Sequence, residues 1–183
     1  YVERMIGSVD AVIIEDYGKG VISPSLLSKV VPIAKKSGVI ISVDPKEEHF
    51  KYYKGVTTVT PNNDEAARAV GFEIKDDSSL KKAGHILLNK LNCKIVLITR
   101  GENGMAVFQK GKPMEHIPTV AQEVFDVSGA GDTVIASFTL SLAAGADAIR
   151  AAHIANCAAG IVVGKIGIAV VTPRELIDRI NRE

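Results

Sequence analysis

Only two of the 183 residues are cysteines, Cys93 and Cys157, far apart and without CxxC or any other metal-binding spacing. That argues against a disulfide framework and a cysteine-held metal, and predicts two reduced, structural thiols in a cytoplasmic protein. An excess of one charge is also lacking. The 22 Lys and Arg against 21 Asp and Glu leave a net charge of +1, so nothing electrostatic favours nucleic acid or a membrane surface. Long apolar runs are missing: the most apolar stretch, Val134–Ala146, contains Ser and Thr and is too short to span a bilayer. The start carries Glu3, Arg4 and Asp10 and has no signal-peptide core. Because residue 1 is Tyr rather than Met, an upstream segment is expected. A Walker-type phosphate loop is absent, and Gly18-Lys19-Gly20 lacks the third glycine of a dinucleotide loop, which argues against a P-loop ATPase or a nicotinamide dehydrogenase. The four histidines (His49, His85, His116, His153) form no ligand spacing and are expected at the surface or satisfied within the fold.

What is present is a globular composition, 46% hydrophobic and 23% charged, with no repeat, linker or low-complexity segment. The expectation is one domain over 1–183, able to bury roughly 70% of its unfolded surface. Apolar runs bounded by turn residues predict buried strands at Asp10–Glu15, Val39–Val43, Val56–Thr60 and Lys94–Thr99. Met105–Gln109 and Met114–Ile117 predict an antiparallel hairpin across Lys110–Pro113. Helices are predicted from Ser23-Pro24 to about Ser37 (with a kink or break at Pro32), after Asn62, over Leu80–Leu91, Thr133–Ala144 and Ala146–Val163, and from Pro173 to about Ile180. Strands alternating with helices predict an α/β domain with a largely parallel sheet.

In such sheets ligands sit beyond the carboxyl ends of the strands. Four polar or glycine-rich loops lie there: Asp16–Gly20, Asp44–Lys46, Asn62–Glu65 and Arg100–Gly104. The stretch Asp126–Thr133 joins them. Its glycines allow close backbone approach, and Asp132 falls in the first turn of an apolar helix. Free amides at a helix start suit an anion. A carboxylate beside them suits phosphoryl transfer, in which amides hold phosphate and the acid takes a proton. The plainer reading, a carboxylate that stabilises the helix start by ~0.3–1 kcal/mol, is not separated from it by these eight residues alone. Asn62 and Glu65, one turn apart, read either as a capping box or as a pair orienting water around Mg²⁺. Lys46 offers a point charge suited to phosphate, or a solvated loop lysine.

In order, Asp16-Tyr17-Gly18-Lys19-Gly20, Asp44-Pro45-Lys46, Thr60-Pro61-Asn62-Asn63-Asp64-Glu65, Thr99-Arg100-Gly101 with Gly104, Asp126-x-Ser128-Gly129-Ala130-Gly131-Asp132-Thr133 and Ala155-Asn156-x-Ala158-Ala159-Gly160 resemble the ribokinase-like (PfkB) carbohydrate kinases across essentially the whole chain. The loop wording at 15–20, 126–134 and 161–167 is most similar to the bacterial heptose 7-phosphate kinases, which serve ADP-heptose and lipopolysaccharide core synthesis. The resemblance implies a Rossmann-like three-layer α/β fold whose N-terminal part and lid are missing here. It also implies ATP and a phosphorylated sugar as substrates, Mg²⁺ as cofactor, and a homodimer for the longer protein.

By residue, the resemblance implies Asp132 as catalytic base and the amides of Gly129, Ala130 and Gly131 as an anion hole. It places Asn62 and Glu65 near Mg²⁺ and the phosphates, with Asn63 and Asp64 in the same nucleotide loop. Thr99, Gly101 and Gly104 fall beside the nucleotide, and Asn156 falls where the adenine-side helix begins. Asp126 and Ser128 match a monovalent-cation site (K⁺), although Val127 departs from the commoner Asp-Thr-Thr wording. Family members are near twice this length, and their N-terminal half holds most sugar contacts, so the isolated chain is expected to be inactive on sugar. A kinase for another sugar or nucleoside, a non-catalytic nucleotide-binding domain and a ligand-free scaffold are the competing readings. The first two kinase readings predict turnover by the full-length protein. The non-catalytic domain predicts binding alone, and the scaffold predicts that Asn62, Glu65 and Asp132 affect only stability.

Overall fold

Short apolar runs closed by a polar residue form β1 (Ala11–Glu15), β2 (Ile40–Asp44) and β4 (Ile95–Thr99), with the two-residue β3 (Thr58–Val59) between the last two. They are followed by β5 (Met105–Gln109) and β6 (Glu115–Ile117). The computed structural model describes residues 1–121 and 124–182. The six strands lie in one sheet in sequence order; β1 to β4 are parallel, and β5 and β6 return antiparallel as the expected hairpin.

The period-2 alternation of side chains divides the core in two. On β4, Val96 and Ile98 face the core shared with α2 (Pro24–Lys36) and α4 (Asp77–Leu91), beside the short α3 (Asn63–Val70). Ile95 and Leu97 face the core shared with α5 (Ala130–Ala143) and α6 (Ala148–Val163). Phe108 anchors the first core and Phe138 the second, both fully buried, each contributing roughly 1.5–3 kcal/mol by burial. The result is the expected three-layer α/β arrangement. The remaining helices are α1 (Val2–Met5) and α7 (Pro173–Ile180). No helix among the described residues is long and apolar enough to cross a membrane.

Local chemistry sets most helix starts. The Ser23 hydroxyl accepts from the Leu26 N–H at 3.2 Å, Asp147 caps α6, and capping boxes begin α3, α4 and α7. Of the kink or break expected at Pro32, the break does not occur, since helix α2 runs through it. The ring lies on the exposed side, and the carbonyl it leaves unbonded belongs to exposed Ser28, where water can satisfy it. Strand β3 shrinks to Thr58–Val59, because Thr57 turns its carbonyl to the N–H groups of both Lys94 and Ile95 and its hydroxyl to the Ile41 N–H. Both cysteines are buried and reduced, and burial pushes the Cys93 thiol up to about 11, out of reactive range.

Candidate active site

Helix α5 starts differently from the others. Its N-cap is Gly129 at φ 77°, ψ 5°, a left-handed conformation that glycine adopts without strain, and no side chain caps it. The Ala130 N–H closes a turn onto the Val127 carbonyl at 3.2 Å, and the helical ladder opens with Thr133 N–H to the Gly129 carbonyl at 3.0 Å. Of the three amides expected to bind an anion, those of Gly129, Ala130 and Gly131, Ala130's is thus engaged in a turn and Gly131's projects from the helix end, as does the Asp132 amide, which was not among them. A Cβ on Gly131 would meet only open space, so a ligand can approach the backbone there.

On one side of this helix end is a cavity of about 480 Å³. It gathers Thr99, Gly101, Gly104, Ala130, Gly131 and Asn156 against an apolar wall that includes Val127, Val134 and Val163. The bridge between Asn62 and Thr99, with the Thr99 N–H on the Pro61 carbonyl at 3.0 Å, brings the Asn62–Glu65 loop alongside. Gly104 is required where it stands. At φ 73° a Cβ would lie 2.0 Å from the Ile117 carbonyl oxygen. Asn156 sits in the middle of α6 rather than at its start, which corrects the expected position, and its Nδ2 donates to the Pro118 carbonyl at 2.6 Å. The buried amide therefore braces the segment that closes the cavity.

On the other side Asp132 meets Glu15 and Asp44, their carboxylate oxygens all within 4.8 Å of one another. The pairing of β1 with β2 places Glu15 directly beside Asp44. Burial raises both, Asp44 to about 7 with further contributions from the charges of Glu15, Glu65 and Asp132. The Oε2 atom of Glu15 is buried and has no hydrogen-bond partner among the described residues. A hard divalent cation fits this set: oxygen donors only, crowded negative charge, and a buried acceptor with nothing to accept from.

Asn62 and Glu65 do form the capping box, Asn62 Oδ1 accepting from Glu65 N–H at 2.9 Å and Glu65 Oε2 from Asn62 N–H at 2.8 Å. Glu65 is nonetheless raised by burial and lies within the electrostatic reach of Asp44 and Lys46. Asn63 Oδ1 is buried without a partner among the described residues, whereas Asp64 is exposed. Lys46 lays its stem against Gly18 and is half-buried, not a solvated loop residue. Asp126 and Ser128 stand apart from the acidic cluster. The Ser128 N–H donates to Asp126 at 2.8 Å, and with the Gly167 backbone it holds that carboxyl below its ordinary value.

Glu15, Asp44 and Tyr17 are members of this region that the residue pattern did not single out. Each ends or follows an apolar strand, and only the strand register shows that two such ends are neighbours. The available signal was the repeated occurrence of an acidic residue at a strand's carboxyl end, in Glu15-Asp16 and again in Asp44.

A three-layer fold with an uncapped helix end between an apolar cavity and a carboxylate cluster defines a ribokinase-like protein. The chain belongs to the pfkB family of carbohydrate kinases, whose pattern matches residues 1–174. It is 45% identical over 168 residues to the bifunctional protein HldE of Geobacter sulfurreducens, covering 92% of this chain and 34% of that protein. Against HldE of Desulfatibacillum aliphaticivorans the identity is 48% over 176 residues, covering 96% and 36%. The chain thus spans about a third of the length of these curated relatives. In structure it is similar to Arabidopsis thaliana ribokinase complexed with ribose and ATP (TM-score 0.85, 22% identity, 97% of this chain and 58% of that one). It is equally similar to Escherichia coli phosphofructokinase-2 in complex with potassium (TM-score 0.85, 18% identity, 98% and 60%).

Proposed function

We propose that this chain is the nucleotide-binding, base-bearing part of an ATP-dependent sugar kinase. The acceptor in this reading is D-glycero-β-D-manno-heptose 7-phosphate, converted to the 1,7-bisphosphate. The observation that carries the proposal is the placement of consecutive residues on one helix turn: Gly131 lines the cavity while Asp132 joins the acidic cluster. ATP would seat its base against the apolar wall and its terminal phosphates at the open amides of α5. Asp132 would take the proton from the acceptor hydroxyl as it attacks, and the freed charge would pass to phosphate oxygens held by those amides. Asp44 and Glu15, with Asn62 and Glu65 through water, would hold Mg²⁺, which when bound neutralises charge on the phosphates. Lys46 stands ready for a phosphate oxygen.

The choice of heptose 7-phosphate is supported by the wording of the three loops and by the HldE relatives at 45% and 48% identity. A cytoplasmic place and a homodimer for the longer protein belong to the same proposal. The test is Asp132→Asn in the longer parent protein, assayed with heptose 7-phosphate and titrated calorimetrically with Mg-ATP. Turnover is expected to fall by at least ~10²–10⁴-fold while nucleotide affinity stays within about twofold. Retained turnover removes Asp132 as the base. A wild-type parent that binds nucleotide but phosphorylates no sugar phosphate leaves a non-catalytic binding domain.

A further inference from the structure

The hydroxyl of Tyr17 reaches across 115 positions of sequence to donate a hydrogen bond to Asp132 Oδ1, at 3.3 Å. The ring that carries it is 61% exposed and packs into no core, so burial does not explain its place. The loop beneath it does. Asp16, the preceding residue, has a side chain only 1% exposed. Burial alone would raise this carboxyl. It is instead held below its ordinary value by the Tyr53 hydroxyl at 2.6 Å, His49 Nδ1 at 2.8 Å and the Gly18 N–H at 2.9 Å. The Asp16 N–H also bonds the Asp44 carbonyl at 3.1 Å, and the Lys46 N–H donates to the Tyr53 hydroxyl at 3.0 Å. Buried, charge-assisted hydrogen bonds of this kind fix a loop far more firmly than surface contacts.

We propose that Tyr17 is a positioning residue for Asp132, held in place by the buried Asp16–Tyr53–His49 cluster. The inference rests on the reading of Asp132 as the base. A carboxylate has two oxygens and a freely turning terminal torsion, and Asp132 is solvent-exposed. With Oδ1 occupied by the Tyr17 hydroxyl, the torsion is restrained and Oδ2 remains for the proton of an incoming hydroxyl. The donor is neutral, so it orients the carboxylate without cancelling its charge, as a lysine there would.

Tyr17→Phe keeps the ring and removes only the hydroxyl, and at an exposed position the fold is undisturbed. In the 183-residue chain, the ¹³C carboxyl resonance of Asp132, assigned with Asp132→Asn, is expected to shift in Tyr17→Phe. In the longer parent the same variant is expected to lose about tenfold in kcat, with the KM for ATP within about twofold. An unmoved Asp132 resonance overturns the proposal, and so does a moved resonance with kcat retained. A wild-type parent without turnover on any sugar phosphate counts against the kinase reading alone. In that case the carboxyl resonance decides whether Tyr17 orients Asp132.

Discussion

Asp44 and Glu15 show what a pair of side chains costs when strand register, rather than a salt bridge, brings them together. Burial is the larger penalty on the charged Asp44 and the Glu15 charge in direct parallel register adds to it, which is why this carboxyl is raised from 3.8 to about 7. The folded chain therefore holds this proton more tightly than the unfolded chain. The stabilisation is fully present below about pH 4 and is lost as pH rises through about 7. Without divalent cations, unfolding measured at pH 5 and pH 8 is expected to show a loss on the order of 2 kcal/mol, allowing for solvent screening. Asp44→Asn, neutral at every pH, is expected to flatten that loss, and Mg²⁺ to restore wild-type stability at pH 8. These residues were hard to read from sequence for the same reason that they matter. A carboxylate at the end of an apolar run looks like a strand's polar terminus until the neighbouring strand is known. Tyr17 was hidden in another way, since a hydrogen bond spanning 115 positions leaves no local pattern.

Elements were more legible than residues because their signals are local. Ser23, Asn62 and Thr172 cap the helices they were expected to cap, and the Met105 hairpin forms as read. The helix continues through Pro32 because its missing donor costs little on a wet helix face. Asn156 lies mid-helix, where the local reading of a helix over Ala146–Val163 already put it, and only the resemblance implied a helix start there. The Gly104 turn combines a local and a tertiary requirement. Its positive φ is a backbone demand, and the Ile117 carbonyl is a packing demand from β6. Gly104→Ala is expected to destabilise the chain by roughly 2–4 kcal/mol in urea unfolding. The same change should weaken Mg-ATP binding, because this turn forms one wall of the cavity.

At the scale of the whole molecule the two cores are unequal in their cover. With β6 at the other end, strand β1 is one of the two outer strands of the sheet among the described residues. On its α5 side Ile13 is 39% exposed, and Leu140 of α5 is 72% exposed. An uncovered, partly apolar edge strand is a template for pairing with another chain. The 183-residue chain is expected to associate in a concentration-dependent way in light scattering. Ile13→Lys should suppress that association while shifting stability by no more than about 0.5 kcal/mol. Fold class was readable at this scale because alternating strands and helices admit few arrangements. The uneven cover was not, since it depends on how far α5 reaches across β1.

The pairing of Gly131 with Asp132 on one turn of α5 bears on how such a protein can diversify. Adjacent residues of a rigid helix move together, so any tilt or slide of α5 carries the Gly131 amide and Asp132, the proposed phosphate and proton sites, as one body. The spacing of the two backbone positions is fixed by covalent geometry, while the hydrogen bond from the Tyr17 hydroxyl bears on the carboxylate's own torsion. Loops and segments that choose the acceptor can then be lengthened, replaced or re-aimed without retuning the point of transfer. That separation makes new acceptor preferences accessible by change at the periphery alone.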